Sequence, residues 1–274
     1  MRGMFAVFLV LLGLPCLAAD LTLALPGGTR TLNTAELLKH PQTQALTIAN
    51  DVAYQRPMHY RALPVAALLA GVKPGDHLQV VALDGFAAEL PAAPLLQKTG
   101  SRAWLAIEDP AAPWPALGKG KSSAGPFYLV WSDPQTDHIG PEQWPFQVAT
   151  IRRLAPVAER FPALAPASDA PADVQAGFAQ FQKNCLACHR LNGGGDAQFG
   201  PDLNVPHSPT EYFADGYLAS YIRDPQSLRR WPQAKMPGFS AQVLSDQELQ
   251  QVIAYLRHMA GRKAQSPLPL AGEG

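Results

Sequence analysis

Two cysteines with two residues between them, followed at once by a histidine, constrain this 274-residue chain more than any other feature: Cys185-Leu186-Ala187-Cys188-His189. The only other cysteine is Cys16. It lies in an N-terminal stretch that reads as a secretory signal over residues 1–19. Arg2 supplies the positive start, residues 4–14 are almost wholly apolar, and Cys16-Leu17-Ala18-Ala19 offers small residues for cleavage near Asp20. The apolar run is short for a membrane span, which leaves an uncleaved N-terminal anchor as the alternative. Lipidation at Cys16 is a further alternative, and Pro15 fits it poorly. Export to the periplasm puts Cys185 and Cys188 in an oxidising compartment. There two thiols so close in sequence make a strained disulfide, a redox pair or an attachment point, and the histidine that follows decides among these.

Composition narrows the partners. Lysine and arginine total 22 and aspartate and glutamate total 22, so the formal charge is zero, and no basic tract stands out. Nucleic acid is therefore not expected as a partner. With 47% hydrophobic residues there is enough apolar material for more than one core.

The texture changes along the chain and predicts a multidomain protein, an α+β domain followed by an all-α domain. Over residues 20–155, short apolar runs at 21–25, 44–48, 78–83, 104–107, 127–131 and 147–151 read as strands between Pro/Gly turns. Two short helices are expected there, one starting on Thr34 as its cap and one running from Pro64 to Leu69 before Gly71. Prolines at 156, 162, 166 and 171 then predict a semi-extended linker over residues 156–171. Residues 172–262 turn helical. Val174, Gly177, Phe178 and Phe181 share one helical face, and Leu218, Tyr221 and Ile222 suggest a short middle helix. A last helix is expected after Ser245, with Glu248 completing a capping box, Leu249, Val252, Ile253, Leu256 and Ala260 as its apolar stripe, and Gly261 just past its end. Residues 263–274 read as a disordered tail.

C-x-x-C-H is the attachment signature of c-type haem. Two thiols at this spacing add across the two vinyl groups of one porphyrin edge, and the next histidine then lies under the iron. The expected cofactor is one covalent haem c, held by Cys185 and Cys188, with His189 as an axial ligand. The sixth ligand must be a soft or imidazole donor on a loop that reaches across the haem. Met236, in Lys235-Met236-Pro237-Gly238-Phe239 ahead of the last helix, suits this best. His207 and His258 are the alternatives, while Met259 inside the last helix and Met58 in the first domain are expected to pack. Arg229, Arg230, Trp231 and Lys235 surround the same loop, where they would bond the haem propionates, form a positive rim, or simply be solvated.

Within residues 172–262 these features resemble the class I cytochromes c. The family packs its first helix on its last through a glycine and an aromatic, a role the resemblance gives to Gly177 and Phe178, with Tyr255 and Leu256 as partners. Gly200-Pro201-Asp202-Leu203 is similar to the family's Gly-Pro-x-Leu turn. The resemblance implies that the Pro201 carbonyl accepts a hydrogen bond from His189 and that Met236 completes the iron's coordination. Such outer contacts orient a ligand ring, and His/Met ligation raises the reduction potential.

The first domain resembles something too. Tyr60-Arg61-Ala62-Leu63-Pro64-Val65, Leu68-Leu69, Pro74-Gly75-Asp76, Leu83-Asp84-Gly85-Phe86 and Gly125-Pro126-Phe127-Tyr128-Leu129-Val130 follow one another as in the molybdopterin-binding fold of sulfite-oxidase-type enzymes. Those enzymes hold molybdenum through a cysteine. Residues 20–155 contain none, and the segment is shorter than the enzyme domain. Its histidines, His40, His59, His77 and His138, are scattered, and Met58-His59 could touch a metal, though such a lone pair is more often structural. The expectation is a periplasmic one-electron carrier rather than an enzyme, with the first domain as a docking module without molybdenum. Its partners would be periplasmic redox proteins or a membrane-bound oxidase or dehydrogenase. A haem-coupled molybdopterin oxidoreductase of sulfite-dehydrogenase type is the rival function, and a haem-based gas sensor a third.

Overall fold

The computed structural model describes residues 19–214 and 216–264. The expected signal therefore lies outside the described residues except for Ala19, as does the tail beyond Ala264.

The first part contains β1 (Asp20–Leu25), β2 (Gly28–Asn33), α1 (Thr34–Leu38), β3 (Gln44–Ile48), β4 (Met58–Pro64), β5 (His77–Ala82), β6 (Ala87–Pro91), α2 (Ala92–Leu96), β7 (Arg102–Ile107), β8 (Phe127–Ser132) and β9 (Val148–Leu154). One sheet runs β2-β1-β9-β5-β6 and the other β3-β4-β7-β8. Among the described residues only β1 and β9 pair in parallel. Alternation along the strands sends Leu21 and Leu23, Met58, Tyr60 and Ala62, and Leu78 and Val80 into one apolar core. β8 is buried along five consecutive residues, Phe127 to Trp131, because residues 143–146 cover it. Leu129 N–H donates to Pro145 O at 3.0 Å and Trp131 Nε1 to Gln143 O at 2.8 Å.

This is the mixed α+β region expected, with local differences. Three strands were not legible. β2 is exposed and polar, β4 mixes Met, His and Arg with its apolar residues, and β6, Ala-Ala-Glu-Leu-Pro, has little strand propensity. Asn33, not Thr34, caps α1. Its Oδ1 accepts from Glu36 N–H at 3.0 Å and Glu36 returns a bond from Asn33 N–H at 2.9 Å, while the Thr34 hydroxyl donates to Ala19 O. The helix expected from Pro64 is a single 3-10 turn, Val65–Ala67.

The second part is helical: α3 (Val157–Arg160), α4 (Ala172–Asn184), α5 (Pro209–Tyr212), α6 (Tyr217–Arg223), α7 (Pro225–Leu228) and α8 (Asp246–Ala260). Ser245 and Glu248 cap α8 reciprocally. α4 crosses α8 at Gly177, where a Cβ would lie 2.0 Å from Gln251 O. The rings of Phe178 and Phe181 stand 5.4 and 5.3 Å from that of Tyr255.

Residues 156–171 are not an extended spacer. After α3 comes a 3-10 turn, Pro162–Leu164, and Val157 and Leu164 are buried in the helical core. Tyr255 Oη donates to Leu164 O at 2.7 Å. Arg160 reaches back to the first part, pairing with Glu89 of β6 at 2.6 Å and with Asp196 at 3.0 Å. Gln79 of β5 donates to the same two carboxylates, at 2.6 and 2.7 Å, and Arg152 of β9 donates to Gln79 Oε1 at 2.8 Å. Glu89 also touches His77. The isolated apolar residues among the prolines carried no periodicity, so their anchoring was invisible in sequence. Replacing Arg160 by alanine leaves Glu89 buried with only His77 and Gln79, which places the expected loss at the low end for breaking a buried pair, about 3 kcal/mol. Denaturant unfolding checks the loss, and limited proteolysis should cut residues 156–171 faster in Arg160→Ala than in the wild type.

Candidate functional site

α4 delivers the two cysteines. Its last residue is Asn184, and Cys185 N–H still donates to Phe181 O at 2.9 Å. The chain then turns once more, with Cys188 N–H and His189 N–H both donating to Cys185 O at 3.1 and 2.9 Å. Both thiols are free. Burial raises the Cys185 thiol above its ordinary range and Cys188 to about 11, and the Glu142 carboxyl adds to both shifts.

His189 is half-buried, and its Nδ1 lies 2.9 Å from Pro201 O. A carbonyl only accepts, so Nδ1 carries the hydrogen and Nε2 keeps its lone pair. Burial lowers the imidazole's pKa against the opposing pull of the Pro201 contact and Asp202, which favours the neutral form. Gly200 lies against the ring: a Cβ there would fall 2.5 Å from His189 Cε1 and 2.6 Å from Nδ1. A side chain at 200 would push the ring out of place.

Asp202 organises this loop, a role the sequence reading missed. Its Oδ1 accepts from the N–H groups of Asn192 at 3.1 Å, Asn204 at 2.8 Å and Val205 at 2.9 Å, and its Oδ2 from Gly193 at 2.6 Å. Asn204 ties the loop to α8 by donating to Met259 O at 2.6 Å and to Asn192 at 2.8 Å. The available signal was Asp-x-Asn, a side chain that bonds the backbone two residues on.

Met236 is half-buried against the helical core, on the long loop between α7 and α8. Arg223 secures that loop, donating to Phe239 O at 2.8 Å and to Asp246 Oδ1 at 2.7 Å, and a Cβ on Gly238 would lie 2.5 Å from Arg223 O. Arg229 and Arg230 are exposed, as is Trp231 at 58%, whose backbone groups bond the side chain of Gln226 on α7. Of the alternative ligands, His258 Nε2 accepts from Ala167 N–H at 3.1 Å and His207 is exposed. Met259 and Met58 are buried in separate cores.

The site thus brings together two thiols one turn apart and a neutral histidine with a free Nε2, backed by a glycine and held by a carbonyl. The cytochrome c family model matches residues 174–260. The C-terminal part of this chain is a cytochrome c domain. Its donor set fits a covalently attached haem.

No curated protein matches the chain. The N-terminal domain structurally resembles part of the sulfane dehydrogenase SoxCD from Paracoccus pantotrophus, at a TM-score of 0.37 and 18% identity, with 53% of this chain and 41% of that chain covered. The chain thus spans less than half of that relative. That protein is a dehydrogenase, and the expectation of a carrier rather than an enzyme is not kept.

Residues 20–155 hold no cysteine that could serve as a molybdenum ligand. His59 bonds Thr47, His77 bonds Glu89, and His40 accepts from Gln42 N–H.

Gly200→Ala should displace His189 and break its bond to Pro201. The expected result is a large fall in low-spin haem in the purified protein, read from its absorption spectrum, with the first domain still folded by circular dichroism.

Proposed function

We propose that the chain is a periplasmic haem c redox protein, the electron-transferring part of an oxidoreductase system, with one haem joined to Cys185 and Cys188. The observation that carries this reading is the His189 ring, held through Nδ1 by Pro201 O at 2.9 Å, one residue after the second of two half-buried cysteines. When bound, the haem supplies a one-electron ferric/ferrous couple. The protein's residues do the rest. The cysteines fix the porphyrin edge, His189 offers Nε2 to the iron, and Gly200 leaves room for the ring. Met236 offers a neutral thioether, which favours ferrous iron and raises the potential. Arg223 holds the ends of the Met236 loop. The helical core excludes water and so limits reorganisation around the iron. Donor and acceptor would be periplasmic redox proteins, or a membrane-bound dehydrogenase or oxidase.

Two outcomes are expected. Haem should resist acid-acetone extraction from the wild type, and Cys185→Ser with Cys188→Ser should abolish covalent attachment, read as the loss of one haem mass per chain. Met236→Ala should remove the weak far-red sulfur-to-iron band of the oxidised protein, lower its potential and open the ferrous site to carbon monoxide. Met259→Ala and Met58→Ala should keep the band. Retention of band and potential in Met236→Ala would move the ligand assignment to another residue.

A further inference from the structure

Glu142 is a residue of the first domain, yet it lies beside the haem motif. Residues 138–143 leave the sheets and pass between the end of α4 and the loop ahead of α8. Lys183 Nζ donates to His138 O at 2.8 Å, and His138 Nδ1 lies 3.2 Å from Gln242 O. A Cβ on Gly140 would fall 2.8 Å from Val243 Cγ1 and 3.5 Å from Asn184 Oδ1, and Asn184 directly precedes Cys185. The turn Pro141–Gln143 packs on α4 from one side and on β6 from the other.

In that turn Glu142 is only 7% exposed, and its Oε2 has no hydrogen-bond partner among the described residues. Asn184 Oδ1, on the facing helix, is likewise buried and unpartnered. The Glu142 backbone N–H bonds its own carboxyl, but a buried acid with one oxygen unpartnered and no counter-charge is costly, and an apolar residue would pack there without that cost. The titratable and charged groups around it are accounted for. Lys183 of α4 is engaged by His138 O, and its other charged neighbour is Glu248 of α8. Glu89 of β6 is paired with Arg160. Asp84 faces Cys188. No ion pair reaches Glu142 among the described residues, and burial lifts its carboxyl to about 7. Its charge is felt at both Cys185 and Cys188.

We propose that Glu142 forms part of the haem pocket from the first domain and binds one proton when the haem iron gains one electron, so that the haem site is shared by both domains. The inference rests on the haem reading above. An electron from a one-electron donor reduces ferric to ferrous iron, a proton from solvent converts the Glu142 carboxylate to the acid, and no bond to the iron changes. The iron site loses one positive charge on reduction, so it holds the carboxylate's negative charge less strongly and the proton affinity of Glu142 rises. Glu142 is a positioning residue for charge and touches no substrate.

The test is the midpoint potential of the holoprotein, followed spectroelectrochemically across the pH window around 7. Wild-type potential should fall as pH rises through that window. Glu142→Gln should be flat there and should lie above the wild type at the alkaline end, where the wild type has a carboxylate favouring ferric iron. His138→Asn should keep the wild-type slope. An unchanged slope in Glu142→Gln, or its loss in His138→Asn, overturns the assignment. Should Glu142→Gln fail to fold, the infrared difference spectrum of the wild type decides the matter. A carboxylic-acid carbonyl band appearing on reduction supports the proposal, and its absence overturns it. A preparation without covalent haem overturns the haem reading itself, whereas covalent haem with a pH-independent potential overturns only the role of Glu142.

Discussion

The close crossing of α4 and α8 is the contact on which the site depends. Gly177 lets the two backbones meet where any Cβ would overlap Gln251 O, and Phe178, Phe181 and Tyr255 fill the space on either side. That crossing fixes the end of α4, and the end of α4 carries Cys185. Tyr255 extends the same contact to the connecting segment through its bond to Leu164 O. From α8, Met259 O receives Asn204, which holds the loop that orients His189. One helix pair therefore positions both thiols and, through Asp202 and Pro201, the His189 imidazole.

The first domain is joined to this arrangement at two places. On one side, Arg160, Gln79, Glu89 and Asp196 form a polar network between β5, β6, α3 and the loop after His189. Glu89 and Gln79 are buried, so each needs its partners: a charge or amide in a low-dielectric interior costs several kcal/mol when left unmatched. On the other side, residues 138–143 lie against the end of α4. Phe86 and Phe199 add an aromatic contact, with ring centroids 6.2 Å apart, next to Gly200. The loop that carries His189 is thus bordered by both domains.

Much of the cytochrome domain was legible in sequence, because its signals are local. C-x-x-C-H, the Gly-Pro turn and the Ser245/Glu248 capping box each work within a few residues, and the 3.6-residue period of α8 needs no partner to be seen. The first domain was less legible. β2, β4 and β6 lack a clean apolar alternation, and they are strands because neighbouring strands bond them. β6 even buries Glu89, which makes sense only once Arg160 and Gln79 arrive from elsewhere.

By itself the sequence determined the spacing of the two thiols and the histidine beside them, and the order of an α+β part followed by a helical one. Those properties follow from covalent spacing and short-range backbone preference. Tertiary structure alone decided that the proline-rich connection is anchored by Val157, Leu164 and Arg160, and that Glu142 comes to rest beside the thiols of another domain. Each of these pairs groups far apart along the chain or rests on burial. Burial sets the strength of a charge and the need for a partner, and no stretch of residues reveals how deeply it will be buried until the rest has folded around it.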